Sequence, residues 1–355
     1  MNEKILVVNP GSTSTKIAIY DGEKEVFSET LRHNSEELQK LGKIADQKSY
    51  RKQLVADAVQ KQGYELKDFA AISCRGGLVQ QIPSGTYRVS DQLVQDSITG
   101  VSGQHASNLG ALIGHELECE SGVPAYIIDP PSVNELSERA KYSGHPLIER
   151  TCVFHALNQK AVARRYAAEV GKKYEDLRLL VCHMGGGISV GAHLNGQVVD
   201  TEDCVGGEGP FSPERTGSLP NNKLIDLCYS GEYTKIEMKQ MTTRRGGILA
   251  YTGTNSVRKV IDDAAAGDQK MKSVLEAFYY QIAKEIGAMS MSLGGKVDQI
   301  ILTGGIAHGK AITSEITKLV DWIAPVTVYP GEDEMLALAQ GVLRVIRGEE
   351  KAKTY

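Results

Sequence analysis

The sequence predicts an α/β protein made of two similar halves, and three observations carry that reading. Short apolar runs bounded by Gly, Pro, Asn and Asp alternate with longer amphipathic stretches, the pattern of strands and helices. One arrangement, strand–glycine turn–strand–Asx-Gly hairpin–strand, occurs over residues 4–30 and again over residues 177–204. Gly11 to Gly22 spans 11 residues, Gly185 to Gly196 spans 11, and the offset is 174 in a chain of 355. That offset is far above the roughly 20–50 residues of a solenoid repeat, so the pattern reads as a duplication of a whole half. The alternative is that any two β-meanders look alike. Two such halves imply a cleft between them, where ligands prefer to bind.

In the first half, residues 4–9 (KILVVN) form an apolar run stopped by Pro10-Gly11, the mark of a buried strand. Residues 15–20 and 25–30 read as the next two strands, joined at Asp21-Gly22. Helical spacing covers 50–62, a short strand 69–74 ends at Arg75-Gly76-Gly77, a helix covers 104–121, and a strand at 125–128 ends at Asp129-Pro130-Pro131. A helix is predicted over 151–170. The second half restarts with strands at 177–183, 188–194 and 197–204, then helices over 221–241, 256–266 and 268–293. A strand at 299–303, a helix over 311–322, a strand at 326–329 and a closing helix over 333–347 complete the chain. The expected domains are 1–150, completed by 333–355, and 151–332.

Composition narrows the function classes. At 41% hydrophobic, 24% charged and a net charge of −4, this is an ordinary globular composition. No Lys/Arg cluster suggests nucleic acid, and no apolar run reaches the roughly 18 residues of a membrane span. The N-terminal stretch does not read as a signal peptide. The six cysteines are isolated, with no Cys-x-x-Cys pair, which argues against zinc or a disulfide framework and for a cytoplasmic location. Glycine is in excess, 37 residues against about 25 at ordinary usage. Nine of them fall within residues 183–217, which marks that stretch as a place to look for backbone that approaches a ligand.

Three turns are candidates for phosphate. Asn9-Pro-Gly-Ser-Thr-Ser-Thr-Lys16 crowds hydroxyls, an amide and a cation at one tip, and its alternative is a polar hairpin. His183-Met-Gly-Gly-Gly187 is the equivalent tip of the second half, and its alternative is a β-bulge. Thr303-Gly-Gly-Ile306 joins a strand to a helix, where anions are favoured. Gly304-x4-Gly309-Lys310 has P-loop spacing, but Ala311 stands where a hydroxyl must hold Mg²⁺. Gly187-Ile-Ser-Val-Gly191 matches a nucleophile elbow, but the serine lies in an alternating strand and not at a strand-to-helix turn. Arg75, Asp129, His155 and Arg215 are each ordinary alone. Together with the phosphate-type turns they suit phosphoryl transfer, which depends on charge neutralisation and positioning.

At these residues the chain resembles the acetate kinase/butyrate kinase family. The three turns carry the resemblance, and it runs over essentially the whole chain. The loop Gly206-Gly-Glu-Gly-Pro-Phe-Ser-Pro-Glu-Arg-Thr-Gly217 and the length resemble the butyrate-kinase branch. The resemblance implies two duplicated ribonuclease-H-like (actin-like ATPase) domains. It implies Asn9, Arg75, Asp129, His155 and Arg215 as catalytic residues. Ser12, Ser14, Lys16, His183, Gly185, Gly187, Arg258, Gly305 and Ile306 are implied at the nucleotide, with Asp129 and Glu334 at Mg²⁺. Phe154 is implied at the acyl group, and His105 matches a further family histidine.

Departures from the acetate kinases are Gly186 in place of an asparagine and Ser256-Val257-Arg258 in place of Asp-Phe-Arg. Gly77 and Gly206 stand where acetate kinases have a valine and a proline, so both are expected to enlarge the acyl pocket for a four-carbon acid. The implied reaction is ATP + butyrate ⇌ ADP + butyryl phosphate. The carboxylate attacks in line and needs no general base, Arg75 holds it, and Arg215 and His155 stabilise the phosphoryl oxygens. Closure of the two halves is expected to exclude water. Other expectations are a homodimer or higher homo-oligomer and no nucleic-acid or membrane partner. The alternatives are a kinase for isobutyrate or another short acid, and a non-catalytic actin/Hsp70-like switch. The switch would need a partner-binding domain, and only a short charged tail follows the last helix.

Overall fold

The N-terminal apolar run forms β1 (Lys4–Pro10), which pairs antiparallel with β2 (Ser14–Asp21), itself antiparallel to β3 (Lys24–Arg32). The computed structural model describes residues 2–355. They form two units, one comprising the chain up to Val133 together with Asp333–Tyr355, the other Asn134–Glu332. In the first unit, α1 (Ser35–Lys40), α2 (Lys48–Lys61), β4 (Ala71–Arg75), β5 (Thr86–Arg88), α3 (Asp91–Thr99), α4 (Leu109–Ser121) and β6 (Ala125–Ile128) follow the meander. The sheet order is β3-β2-β1-β4-β6-β5, with β1, β4 and β6 parallel. Leu6, Val8, Ile72 and Cys74 pack with α2 and α4 in one core. Ser73, on the opposite face by the two-residue period of a strand, donates its hydroxyl to the Leu338 carbonyl of the chain's last helix at 2.7 Å. A sheet covered on both faces explains why these strands read as continuous apolar runs.

The second unit contains α5 (Ala156–Glu169), β7 (Leu179–Met184), β8 (Ile188–Leu194), β9 (Gln197–Asp200), α6 (Asn221–Cys228), α7 (Lys235–Thr243) and α8 (Gly247–Thr252). Then come α9 (Val257–Ala265), α10 (Gln269–Ser292), β10 (Gln299–Gly304), α11 (Lys310–Val320) and β11 (Val326–Pro330), before α12 (Glu334–Ile346) returns to the first unit. Its sheet order is β11-β10-β7-β8-β9, with β7, β10 and β11 parallel and β7-β8-β9 an antiparallel meander. Strand for strand this repeats β6-β4-β1-β2-β3, so the duplication read from the glycine spacing is present in the topology. Helices α10 and α11 cover one face of the second sheet and α5 the other.

Several boundaries differ from the sequence reading. The helix expected from residue 151 starts at Ala156, because Val153 bridges to Asp203 and its carbonyl accepts from Cys204. The helix expected from residue 104 starts at Leu109, after a 3₁₀ turn over Ala106–Asn108. The single helix expected over 221–241 is two, split around Ser230-Gly231, where Gly231 has φ 82°. Short α1, α3, α8 and β5 add to the elements that the sequence predicts. Residues 134–150, placed with the first half on sequence, group with the second unit. The Arg150 guanidinium donates to the Ala140 and Thr201 carbonyls and pairs with Asp200 and Glu208, and Ser137 N–H bonds the Val199 carbonyl. Among the described residues no helix is long and apolar enough to cross a membrane.

Candidate active site

The carboxyl ends of the parallel strands β1, β4 and β6 lie side by side, which is where open α/β sheets present ligand-binding groups. The pairings Val8↔Cys74 and Arg75↔Ile128 therefore bring Asn9, Arg75 and Asp129 into one row. Helix α12 adds Glu334 at its first turn. Glu334 Oε1 is ion-paired with Arg75, and Oε2 accepts from Asn9 Nδ2 at 2.8 Å. Arg75, expected to hold the acyl carboxylate, and Glu334, expected at the metal, thus neutralise each other here. Asp129 is 2% exposed. Its Oδ1 accepts from the Ser84 hydroxyl at 2.6 Å and the Gly85 N–H at 2.8 Å. Its φ of 37° is a left-handed conformation uncommon outside glycine, and these bonds hold it there.

Ser12 and Lys16 are exposed and Ser14 half-buried in the β1–β2 turn. Behind that turn lies Arg51, 1% exposed, which carried no sequence signal in the middle of a polar helix. Its guanidinium donates to the carbonyls of Gly11 (2.7 Å), Ser12 (2.9 Å) and Ser14 (3.0 Å) and to the Thr15 hydroxyl (3.2 Å). Burial pulls the Arg51 pKa down to about 10, so it stays charged near neutrality. The Thr15 hydroxyl also meets His33 Nε2 at 2.8 Å. His105 caps the 3₁₀ turn before α4, its Nδ1 2.8 Å from the Ser107 hydroxyl.

In the second unit His155 stands at the N-cap position of α5, next to the buried Phe154. Its ring stacks on His183, at the end of β7, with centroids 3.7 Å apart and 9° between planes. His183 Nδ1 is 2.7 Å from Asn158 Oδ1, and Asn158 Nδ2 donates to the Glu332 carbonyl at 2.9 Å. Arg215 lies against the second glycine turn. A Cβ built on Gly187 would stand 2.0 Å from Arg215 Nη1 and 3.3 Å from His155 Cε1. A side chain at Gly187 would therefore displace the Arg215 guanidinium. Ser212 secures the other side of the turn, its hydroxyl donating to the Gly186 carbonyl at 2.9 Å.

Beside this group the second unit has a cavity of about 790 Å³. Gly185, Arg258, Gly305 and Ile306, which the resemblance implies at the nucleotide, line it together with His308 and Lys310. Lys310 is the lysine of the P-loop-like spacing, and it opens α11. Gly304, with φ 89°, lets β10 pass Met184 closely, since a Cβ there would be 2.4 Å from the Met184 carbonyl oxygen.

Gly77 and Gly206, expected to enlarge the acyl pocket, are each closely neighboured by other groups. A Cβ on Gly77 would lie 2.6 Å from Asn108 Cα and 2.7 Å from Asn108 N, so the missing side chain is taken up by the turn before α4. Gly206 sits in an exposed turn, its N–H bonded to Asp203 Oδ1 at 2.6 Å, and a Cβ there would collide with that carboxylate.

The doubled sheet and the clusters at its strand ends define a class of protein, and the chain belongs to the Acetokinase family, whose model matches residues 139–321. It is 53% identical over 352 residues to butyrate kinase 1 of Clostridium acetobutylicum, covering 99% of each chain. It is 50% identical over 355 residues to a probable butyrate kinase of Clostridium botulinum, covering 100% of each. Among solved structures, acetate kinase from Porphyromonas gingivalis matches with a TM-score of 0.79 at 16% identity, over 97% of this chain and 99% of that one. The two mixed sheets with their helices are the actin-like ATPase fold.

Proposed function

We infer that this chain is a short-chain carboxylate kinase acting on butyrate: ATP + butyrate ⇌ ADP + butyryl phosphate. The observation that carries this is the identity of 50–53% along the whole chain to butyrate kinases. In this reading the first unit binds the acyl carboxylate through Arg75 and supports the phosphates with Asn9, Ser12, Ser14 and Lys16. The second supplies the nucleotide cavity, with His155 and Arg215 donating to the phosphoryl oxygens as charge redistributes. A carboxylate is ionised at neutral pH, so its oxygen attacks phosphorus without a base. Arg75 exchanges Glu334 for the substrate carboxylate, and Phe154 borders the acyl group.

Mg²⁺ takes one or two carboxylates and completes its shell with waters and substrate phosphates. The described residues contain no group of three or more His, Cys, Asp or Glu that would form a protein cage. Asp129 and Glu334, both hard oxygen donors, fit the smaller requirement, and Mg²⁺ held there would neutralise phosphate charge.

Trapping the acyl phosphate as a hydroxamate, with ATP and butyrate, tests the activity. Product is expected, with kcat/KM for butyrate above those for acetate and propionate. A higher value for isobutyrate would reassign the substrate, and absence of acyl phosphate with every short acid would refute the reading.

A further inference from the structure

We propose that Ser189 is a positioning residue that holds the His155 imidazole as its Nε2–H tautomer, so that His155 meets the phosphoryl group as a neutral hydrogen-bond donor. The proposal deepens the carboxylate-kinase reading and rests on it for the word phosphoryl.

Four buried side chains determine where the protons lie. Gln159 is fully buried, and its side-chain nitrogen lies 3.1 Å from the Ser189 carbonyl oxygen. A carbonyl can only accept, so the NH₂ group must face it. Gln159 Oε1 then faces His193 Nε2 at 3.1 Å, and that nitrogen must carry a hydrogen. His193 is also fully buried. Burial, helped by the charges of Lys160 and Arg164, holds it well below the ordinary histidine pKa and hence neutral. Its Nδ1 therefore accepts from the Tyr174 hydroxyl at 2.6 Å. The second Gln159 hydrogen goes to Ser189 Oγ at 2.9 Å.

Ser189 Oγ has two further neighbours, the His155 backbone N–H at 3.4 Å, another donor, and His155 Nδ1 at 2.8 Å. Among its hydrogen-bond partners Nδ1 alone can accept, so the serine hydrogen points there. His155 Nδ1 is left without a proton, and the neutral ring carries its hydrogen on Nε2. The same bond opposes the imidazolium, because a protonated Nδ1 would face a hydroxyl already supplied with a donor. The Arg215 cation, whose guanidinium lies against the same glycine as His155, also disfavours a charge on His155. The nucleophile-elbow spacing around Ser189 thus has another meaning. The hydroxyl is fully buried and turned inward to set a histidine, not outward to attack.

Long-range ¹H–¹⁵N correlation spectra of the ¹⁵N-histidine-labelled, full-length protein test the tautomer without any turnover. His155 is expected to show an unprotonated Nδ1 and a protonated Nε2, and a protonated Nδ1 at neutral pH would overturn the proposal. In Ser189→Ala the ring is expected to populate both tautomers and the acid limb of kcat to move to higher pH. kcat should fall roughly tenfold to hundredfold, less than the ~10²–10³ of deleting a donor outright, with KM for butyrate held within about twofold. Ser189→Thr, which keeps the hydroxyl, should restore the single tautomer. A Ser189→Ala protein with the wild-type tautomer and pH profile sinks the idea even if kcat falls. If that variant does not fold, the wild-type spectrum decides. The spectrum stands whether or not butyrate proves to be the substrate, so failure of the tautomer and failure of the substrate reading are distinguishable.

Discussion

Single residues behind the nucleotide-type turns do as much as those on them. Arg51 donates to three backbone carbonyls of the β1–β2 turn. Hydrogen bonds made by a charged group contribute about 1.5–3 kcal/mol, so Arg51→Met should lower stability by about 3 kcal/mol and raise KM for ATP. Urea unfolding and steady-state kinetics check the two parts separately. His33 adds a pH dependence. Burial, and secondarily Arg51, lowers its pKa to about 4 from 6.5. Between those values the unfolded chain takes up a proton that the folded chain refuses. Stability present above pH ~6.5 is therefore lost as pH falls toward 4, by at most about 3 kcal/mol. The urea midpoint of His33→Gln should be correspondingly less sensitive to pH between 5 and 7. Gly187→Ala tests the close approach of Arg215. The variant should fold normally, since Gly187 has ordinary φ, and lose about 10²-fold in kcat if Arg215 is displaced.

At the scale of elements, turns and helix starts are tied to one another by close packing that excludes a Cβ. Gly77 rests on the backbone of Asn108, whose Oδ1 accepts from Leu78 N–H at 2.8 Å and whose Nδ2 donates to the Gly103 carbonyl at 3.0 Å. Gly77→Val must push this turn away. We expect a drop in Tm equivalent to about 1–3 kcal/mol of overpacking and no shift of preference from butyrate toward acetate. A folded variant that does prefer acetate would return Gly77 to the acyl pocket. Most long elements were legible because their apolar periods are unbroken, as in β1, β7 and α10. Short α1, α3 and α8 were not, because six to nine residues give too little periodicity. The start of α5 was missed for a different reason. Val153 is apolar and fits a helical face, but its bridge to Asp203 belongs to the tertiary structure.

For the whole molecule, the last 23 residues belong with the first unit, not with the residues preceding them. Helix α12 buries Leu338, Val342 and Leu343 and carries Glu334 to Asn9 and Arg75. Deleting residues 333–355 should therefore abolish the cooperative unfolding transition of the first unit while the second keeps its own. Calorimetry distinguishes this from a loss confined to activity, and two intact transitions would contradict it.

The sequence by itself determined the duplicated α/β plan, through glycine spacing and apolar strands, and the family, through three turns and the loop before Gly217. It also picked out Asn9, Arg75 and Glu334, which are joined by a hydrogen bond and an ion pair, Asp129 at a neighbouring strand end, and His155, His183 and Arg215, which lie about one glycine turn. Only the tertiary structure decided what each missing or buried side chain is for. At Gly77 and Gly206 a sequence shows which atoms are absent, and only the structure shows that Asn108 and Asp203 stand beside them. Arg51, Asn158 and Gln159 gave no signal, and Ser189 gave only an elbow-like spacing, because their roles come from hydrogen bonds between segments distant in the chain, and such bonds follow no local period.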